Sequence, residues 1–321
     1  MGRRAARLIV PLDPDIAAQV AHLFDATLAQ VLSGDVGGPP AATPMRRDDV
    51  AVTEGTVPGP GGPVPVRVYR AAHLDPGGRS PTLVWAHGGG WQFGDLDMPE
   101  ADSVAQVVAA TLPGVVVSVD YRLAPAHRFP APLDDVAAVH TWATSPAGQG
   151  HGIDTDRVAL GGASAGAHLA LAAALAHAAA GAPPAALVLA YPVTDPVDGP
   201  YPEERHPDCP PLLWLDADAV TGLFRALVDD VDRPGPAAVP GAGDLSGLPP
   251  VLVTTAECDA LAPQADHFAE RARAAGVDVT VHHVAGVLHG YLNTVGDSRA
   301  ADAALARHVE WLRGALVRRS R

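Results

Sequence analysis

Residues 158–175 read VALGGASAGAHLALAAAL. An apolar run stops at Gly161 and Gly162. One hydroxyl, Ser164, follows between Ala163 and Ala165, and after Gly166 an alanine-rich stretch begins. The pattern predicts a buried strand, a sharp turn and a buried helix. Gly162-x-Ser164-x-Gly166 has the spacing of a turn that lifts a serine Oγ clear of a sheet edge. Such a turn forces the serine into strained backbone angles, so its neighbours must be small. The hydroxyl then sits at a helix N-terminus, where the helix dipole favours a developing anion. A phosphate-loop reading fails: Gly161 to Gly166 has the right spacing, but no Lys-Ser/Thr pair follows, and no G-x-G-x-x-G register fits.

A serine hydroxyl is a weak nucleophile unless a base takes its proton, and the oxyanion it creates needs donors. TLVWAHGGGWQFG, 82–94, ends a buried strand in His87 and three glycines. The N–H groups of Gly88 and Gly89, with that of Ala165, are the candidate oxyanion donors. The base and its orienting acid are expected after the serine, in the order Ser, Asp, His. VLVTTAECDAL, 251–261, supplies Asp259 just beyond a predicted strand, and VLHGYL, 287–292, supplies His289. Glu257 is the rival acid, and Asp259 is preferred because it lies deeper in the loop. Trp91, Phe93 and Trp214 are candidates to line an acyl pocket.

Around this motif, strand and helix alternate. Short, nearly all-apolar runs at 82–86, 115–119, 157–160, 186–190, 250–255 and 278–283 predict strands. Helical patterns at 99–111, 132–144, 165–180, 263–275 and 298–317 separate most of them. This predicts a mainly parallel sheet covered on both faces. Upstream, Val50–Val52 and Val64–Tyr69 flank GTVPGPGGP, a hairpin whose prolines suit a sheet edge. Ile16, Val20, Leu23, Phe24, Thr27, Leu28 and Val31 recur at helical spacing and predict a helix over 14–32. Residues 195–245 hold no strand, but Asp216 stands as a helix N-cap before Val220, Leu223, Phe224 and Leu227. An insertion of this kind would lie over the strand ends as a lid.

The composition narrows the function. The chain has 321 residues, 48 % of them hydrophobic, with 36 acidic side chains against 22 cationic ones, a net charge of −14. Every cation is Arg, and the basic residues cluster only in pairs such as Arg46-Arg47 and Arg318-Arg319. That excludes a nucleic-acid groove, which needs massed positive charge. Cys209 and Cys258 form neither a disulfide framework nor a zinc motif, which fits a reducing, cytoplasmic setting. The apolar stretch from Ala5 to Val10 contains Arg7 and ends at Pro11, too broken for a secretory signal. The run from 165 to 193 is broken by His168, His177 and Gly-Ala-Pro-Pro, so no membrane span is expected.

HGGGW at 87–91, VDYRLAPAHRFPAPLDD at 119–135, GASAGAHLA at 162–170, DLSGLPPVLVTTAECDAL at 244–261 and LHGY at 288–291 together resemble the hormone-sensitive-lipase-like branch of the α/β-hydrolases, the bacterial family IV carboxylesterases. The resemblance covers about residues 50 to 320. It implies an α/β-hydrolase fold: a mostly parallel, eight-stranded sheet flanked by helices, with a helical cap. It also implies cofactor-free, metal-free hydrolysis of a small-molecule ester, and often a homodimer through the edge strand near 278–283. The expected parts are a cap segment at 1–45, core at 46–194, cap insertion at 195–240 and core again at 241–321. The sequence departs from the branch at Ala163, commonly Asp or Thr; at Ala167, usually glycine; and at Ala260, usually proline. None of these removes a triad group. The expectation is hydrolysis of short-chain esters through an acyl-enzyme, with Ser164 as nucleophile, His289 as base and Asp259 as orienting acid. Acyl transfer, or elimination or cyclisation on a specialised metabolite, would use the same triad. A non-catalytic ligand-binding relative would be marked by a lost base, and His289 is present.

Overall fold

The computed structural model describes residues 11–317 apart from 28, 29, 31, 32, 40, 44 and 76. Eight strands form one sheet: β1 (Val50–Gly59), β2 (Gly62–Ala71), β3 (Ser80–Ala86), β4 (Val115–Val119), β5 (Ile153–Ala163), β6 (Leu187–Ala190), β7 (Val251–Cys258) and β8 (Val279–Leu288). Their spatial order is β1-β2-β4-β3-β5-β6-β7-β8. The β1/β2 and β2/β4 pairings are antiparallel and the other five are parallel.

The apolar strands are buried on both faces, and side-chain alternation divides them between two cores. Along β3, Val84 and Ala86 enter one core, Leu83 and Trp85 the other. Val115, Val117 and Val119 of β4 lie opposite Val116 in the same way. The first core is covered by α3 (Ala131–Ala143), which is followed by the single turn α4 (Pro146–Gln149), and by α5 (Ala165–Ala179) and α7 (Ala262–Ala274). The second is covered by α1 (Pro14–Val20), α2 (Pro99–Thr111) and α8 (Arg299–Val317). The first ten residues of α5, Ala165–Ala174, are all buried. A helix made almost wholly of alanine and leucine can be enclosed all round by its neighbours.

The hairpin ladder runs tighter than the sequence predicts. It extends to the pair Gly59↔Gly62, so only Pro60 and Gly61 make the turn. Pro58, Pro63 and Pro65 are tolerated because β1 is an edge strand and β2 meets β4 only from Val66 onward. The N-terminal helix is shorter than predicted. It spans Pro14–Val20, capped by the Asp13 carboxylate, and passes into a 3-10 turn at Ala21–Leu23. Leu28 and Val31, like residues 5–10 and Arg318-Arg319, lie outside the described residues. After β6 comes a long excursion carrying a 3-10 turn at Pro211–Leu213 and α6 (Ala217–Leu227). Asp216 caps α6 by accepting from the Ala219 N–H at 3.0 Å, and Val220, Phe224 and Leu227 form its buried stripe. Among the described residues no helix is long and apolar enough to cross a membrane.

The strand order reverses direction around β3, whose neighbours are β4 on one side and β5 on the other. Open α/β sheets form a crevice at the strand carboxyl ends where the order switches. The loop after β3 and the turn after β5 both open there.

Candidate active site

Ser164 joins β5 to α5 with φ 52° and ψ −116°, a region that side chains other than glycine rarely adopt. The turn is held open by close backbone approach. A Cβ on Gly162 would collide with Gly166 and the Ala86 carbonyl, and one on Gly166 with the Ala86 and His87 carbonyls. Two backbone bonds fix the seat: the Ser164 N–H donates to the Ala190 carbonyl at 2.9 Å, and its carbonyl accepts from the His168 N–H at 3.0 Å.

His289 follows β8 and Asp259 follows β7, and both side chains reach this turn. The Ser164 Oγ lies 2.8 Å from His289 Nε2, and His289 Nδ1 lies 2.7 Å from Asp259 Oδ2. Asp259 Oδ1 accepts from the Leu261 N–H at 3.0 Å. A carboxylate can only accept, so it places the imidazole proton on Nδ1 and leaves Nε2 to accept from the serine hydroxyl. Glu257, the rival acid, instead accepts from the Gly286 N–H at 3.3 Å. Burial alone would push the His289 imidazole down. The Asp259 carboxylate, through space and through its hydrogen bond, and Glu100 together outweigh burial and raise its pKa.

The glycine loop after β3 is pinned from both sides. The Tyr121 hydroxyl donates to the His87 carbonyl at 2.8 Å and to the Gly88 carbonyl at 3.1 Å. Burial lowers His87 to about 4, so the ring is neutral, and it stacks on Tyr121 with centroids 4.4 Å apart. Here the structure departs from the sequence expectation. The Gly88 N–H donates to Glu100 Oε1 at 2.5 Å, which removes it from the set of open donors. Among the described residues, the N–H groups of Gly89, Gly90 and Ala165 donate to no protein acceptor. Gly89 and Gly90 hold φ of 102° and 58°, which their lack of a Cβ permits.

A cavity of about 440 Å³ opens beside Ser164 and His289. Ile16, Met98, Leu212, Leu213, Leu215 and Leu288 give it an apolar wall, and Glu100, Tyr191 and Asn293 contribute polar groups. The three aromatic candidates lie elsewhere. Trp91 is 1 % exposed; its indole N–H donates to His168 Nδ1 at 3.3 Å and its ring packs on Phe224 of α6, so it fastens the glycine loop to the excursion. Phe93 is 62 % exposed and Trp214 packs into the second core. None of the three borders the cavity. Glu100, Tyr191, Asn293 and the leucines at 212, 213 and 215 were not singled out by sequence reasoning. A carboxylate just after Pro99 reads only as a favourable helix start, and nothing local distinguishes Leu213 from a core leucine.

Residues 83–293 match the model of a family with the alpha/beta hydrolase fold. Esterase LipI of Mycobacterium tuberculosis is 32 % identical over 268 residues, covering 83 % of this chain and 82 % of its own. Carboxylesterase NlhH of the same organism is 37 % identical over 259 residues, 79 % of each chain. In three dimensions, a hyperthermophilic esterase from Pyrobaculum calidifontis superposes with a TM-score of 0.80 at 30 % identity, over 95 % of this chain and 98 % of that one. With one sheet topology, one serine turn and relatives aligned over most of their length, the chain belongs to the hormone-sensitive-lipase-like carboxylesterases of the α/β-hydrolase superfamily.

Proposed function

We propose that this carboxylesterase cleaves short-chain esters of small molecules through an acyl-enzyme formed on Ser164. The serine hydroxyl gives its proton to His289 Nε2 as Oγ attacks the ester carbonyl. Asp259 holds the imidazole in the Nδ1–H tautomer and stabilises the cation that forms. The N–H groups of Gly89, Gly90 and Ala165 receive the oxyanion, each worth on the order of 10²–10³ in rate. His289 then protonates the departing alcohol, and water repeats the sequence on the acyl group. The observation that carries this reading is the unbroken chain Ser164–His289–Asp259, with bonds of 2.8 and 2.7 Å.

The segments before 46 and from 195 to 240 serve as the cap. Ile16, Pro39 and Ala41 from the first, and Leu212, Leu213 and Leu215 from the second, border the cavity, which supports that role. At about 440 Å³ the cavity is near the lower end of small-molecule sites, roughly 300–1,000 Å³, which favours short acyl groups. Buried thiols at Cys209 and Cys258 support a reducing, cytoplasmic setting, and the terminal position of β8 in the sheet supports docking of a second copy along it. The names of the relatives favour hydrolysis over acyl transfer or elimination.

The test is a rate panel of nitrophenyl esters from acetyl to decanoyl with Ser164→Ala as blank. Turnover is expected to fall by several orders of magnitude in the variant, and to peak at short acyl chains in the wild type. An unchanged rate in Ser164→Ala would remove the assignment.

A further inference from the structure

Glu100 is the second residue of α2 and is 2 % exposed, yet it borders the cavity that holds Ser164 and His289. A carboxyl so deeply buried must be justified by its partners. Three donors converge on it. Oε1 accepts from the Gly88 N–H at 2.5 Å; Oε2 accepts from the Tyr191 hydroxyl at 2.7 Å and from Asn293 Nδ2 at 3.2 Å. Its backbone is also fixed: the N–H donates to Asn293 Oδ1 at 3.3 Å, and the carbonyl accepts from the Trp85 indole at 2.9 Å.

Each donor belongs to a different wall of the site. Gly88 opens the glycine loop. Tyr191 directly follows β6 with φ 35° and sets its ring edge-on to His289, centroids 5.0 Å apart. Asn293 lies in the 3-10 turn that follows His289, and its Nδ2 also donates to the Gly290 carbonyl at 3.2 Å. Only an acceptor with two oxygens can hold all three donors at once, and an ionised carboxylate does so without a proton of its own. Burial raises the Glu100 carboxyl above its ordinary value, and the bonds from Tyr191, Gly88 and Asn293 and the charge of His289 offset that rise only in part.

We propose that Glu100 is a positioning residue of the esterase: its carboxylate sets the direction of the Gly89 and Gly90 N–H groups by anchoring Gly88, and it lends a second negative charge to the His289 imidazolium. This inference rests on the esterase reading above. The titratable groups facing Glu100 are His289, Tyr191 and Tyr121, and burial keeps both phenols neutral. His289 itself faces Asp259, Glu100 and the Tyr191 ring. Asp259 orients the imidazole from Nδ1, and Glu100 acts on it through space.

The two roles separate experimentally. In the full chain, Glu100→Ala removes both anchor and charge. Glu100→Gln keeps an acceptor for the Gly88 N–H; it removes the charge, together with the second acceptor that Tyr191 and Asn293 share. For nitrophenyl butyrate, kcat of Glu100→Ala is expected to fall about 10²-fold with little change in KM, the loss of aligned oxyanion donors. Glu100→Gln is expected to recover most of that kcat. In both variants the acid limb of kcat/KM moves to lower pH, because without the nearby negative charge His289 holds its proton less tightly. An unmoved limb in Glu100→Gln overturns the inference, and this variant decides alone if Glu100→Ala does not fold. Equal losses in the two variants, with KM raised and the limb in place, mark a merely structural carboxyl and overturn it as well. Fluorophosphonate labelling of wild-type Ser164 keeps the two readings apart. A labelled, active wild type with an unmoved Glu100→Gln limb sinks this inference alone. A wild type that neither labels nor turns over ester sinks the esterase reading and this inference with it.

Discussion

Replacing Asp259 by asparagine tests the hydrogen-bond chain most sharply, because the surroundings dictate how the amide must sit. The Leu261 N–H points at Oδ1 from 3.0 Å, so an asparagine there turns its carbonyl oxygen toward Leu261. Its NH₂ then occupies the place of Oδ2, 2.7 Å from His289 Nδ1. An amide N–H cannot face an imidazole N–H, so Nδ1 must become the acceptor and the ring proton moves to Nε2. That nitrogen lies 2.8 Å from Ser164 Oγ and can no longer take its proton. Tautomer inversion of this kind in a serine triad costs about 10⁴ in kcat, roughly 5.4 kcal/mol at 1.36 kcal/mol per decade. Asp259 does not border the cavity, so KM is expected to hold. The assay is kcat and KM on nitrophenyl butyrate at neutral pH, with thermal melts to show that the variant folds. A folded Asp259→Asn retaining a tenth or more of wild-type kcat would refute the argument that this carboxylate sets the tautomer.

Two further outcomes follow from the same geometry. The free enzyme needs a neutral His289, and the Asp259 charge raises that imidazole above its ordinary 6.5; activity is therefore expected to fade, as pH falls, at a higher pH than an unperturbed histidine would give. A kcat/KM profile whose acid limb is centred below 6.5 contradicts this. The two aromatics of the glycine loop should part company in a urea titration: Trp91→Ala, which empties a site 1 % exposed, is expected to cost about 3–5 kcal/mol, whereas Phe93→Ser, at 62 % exposed, should stay within about 0.5 kcal/mol. Equal effects would show that burial does not distinguish them.

The parallel sheet was legible because its strands are apolar on both faces. Runs such as Thr82–Ala86 and Val115–Val119 cannot be amphipathic helices, and the helices between them have the right period. The convergence of Ser164, Asp259 and His289 could be anticipated because each stands just beyond a predicted strand, and the carboxyl ends of parallel strands share one edge. What escaped the sequence was decided by neighbours distant along the chain. All three glycines of HGGG look alike as donors. Gly88 is diverted by a carboxylate that arrives from α2, and no local pattern announces that bond. Trp91 and Phe93 are both aromatic and two residues apart, but Trp91 has φ 62° and turns inward to His168, while Phe93 faces water. The N-terminal periodicity suggested one long helix, where the chain instead tightens into a 3-10 turn at Ala21–Leu23.

The backbone angles at Ser164 carry a wider implication for anyone seeking a hardier form of this protein. Strain at such a position costs of order 1–3 kcal/mol, which the surrounding packing must offset. Glycine would relieve it and abolish the hydroxyl together, so the sturdier molecule would be the inert one. Thermal improvement therefore has to be sought in the hairpin, the surface helices and the loops far from this bend, because here durability and turnover compete for a single residue.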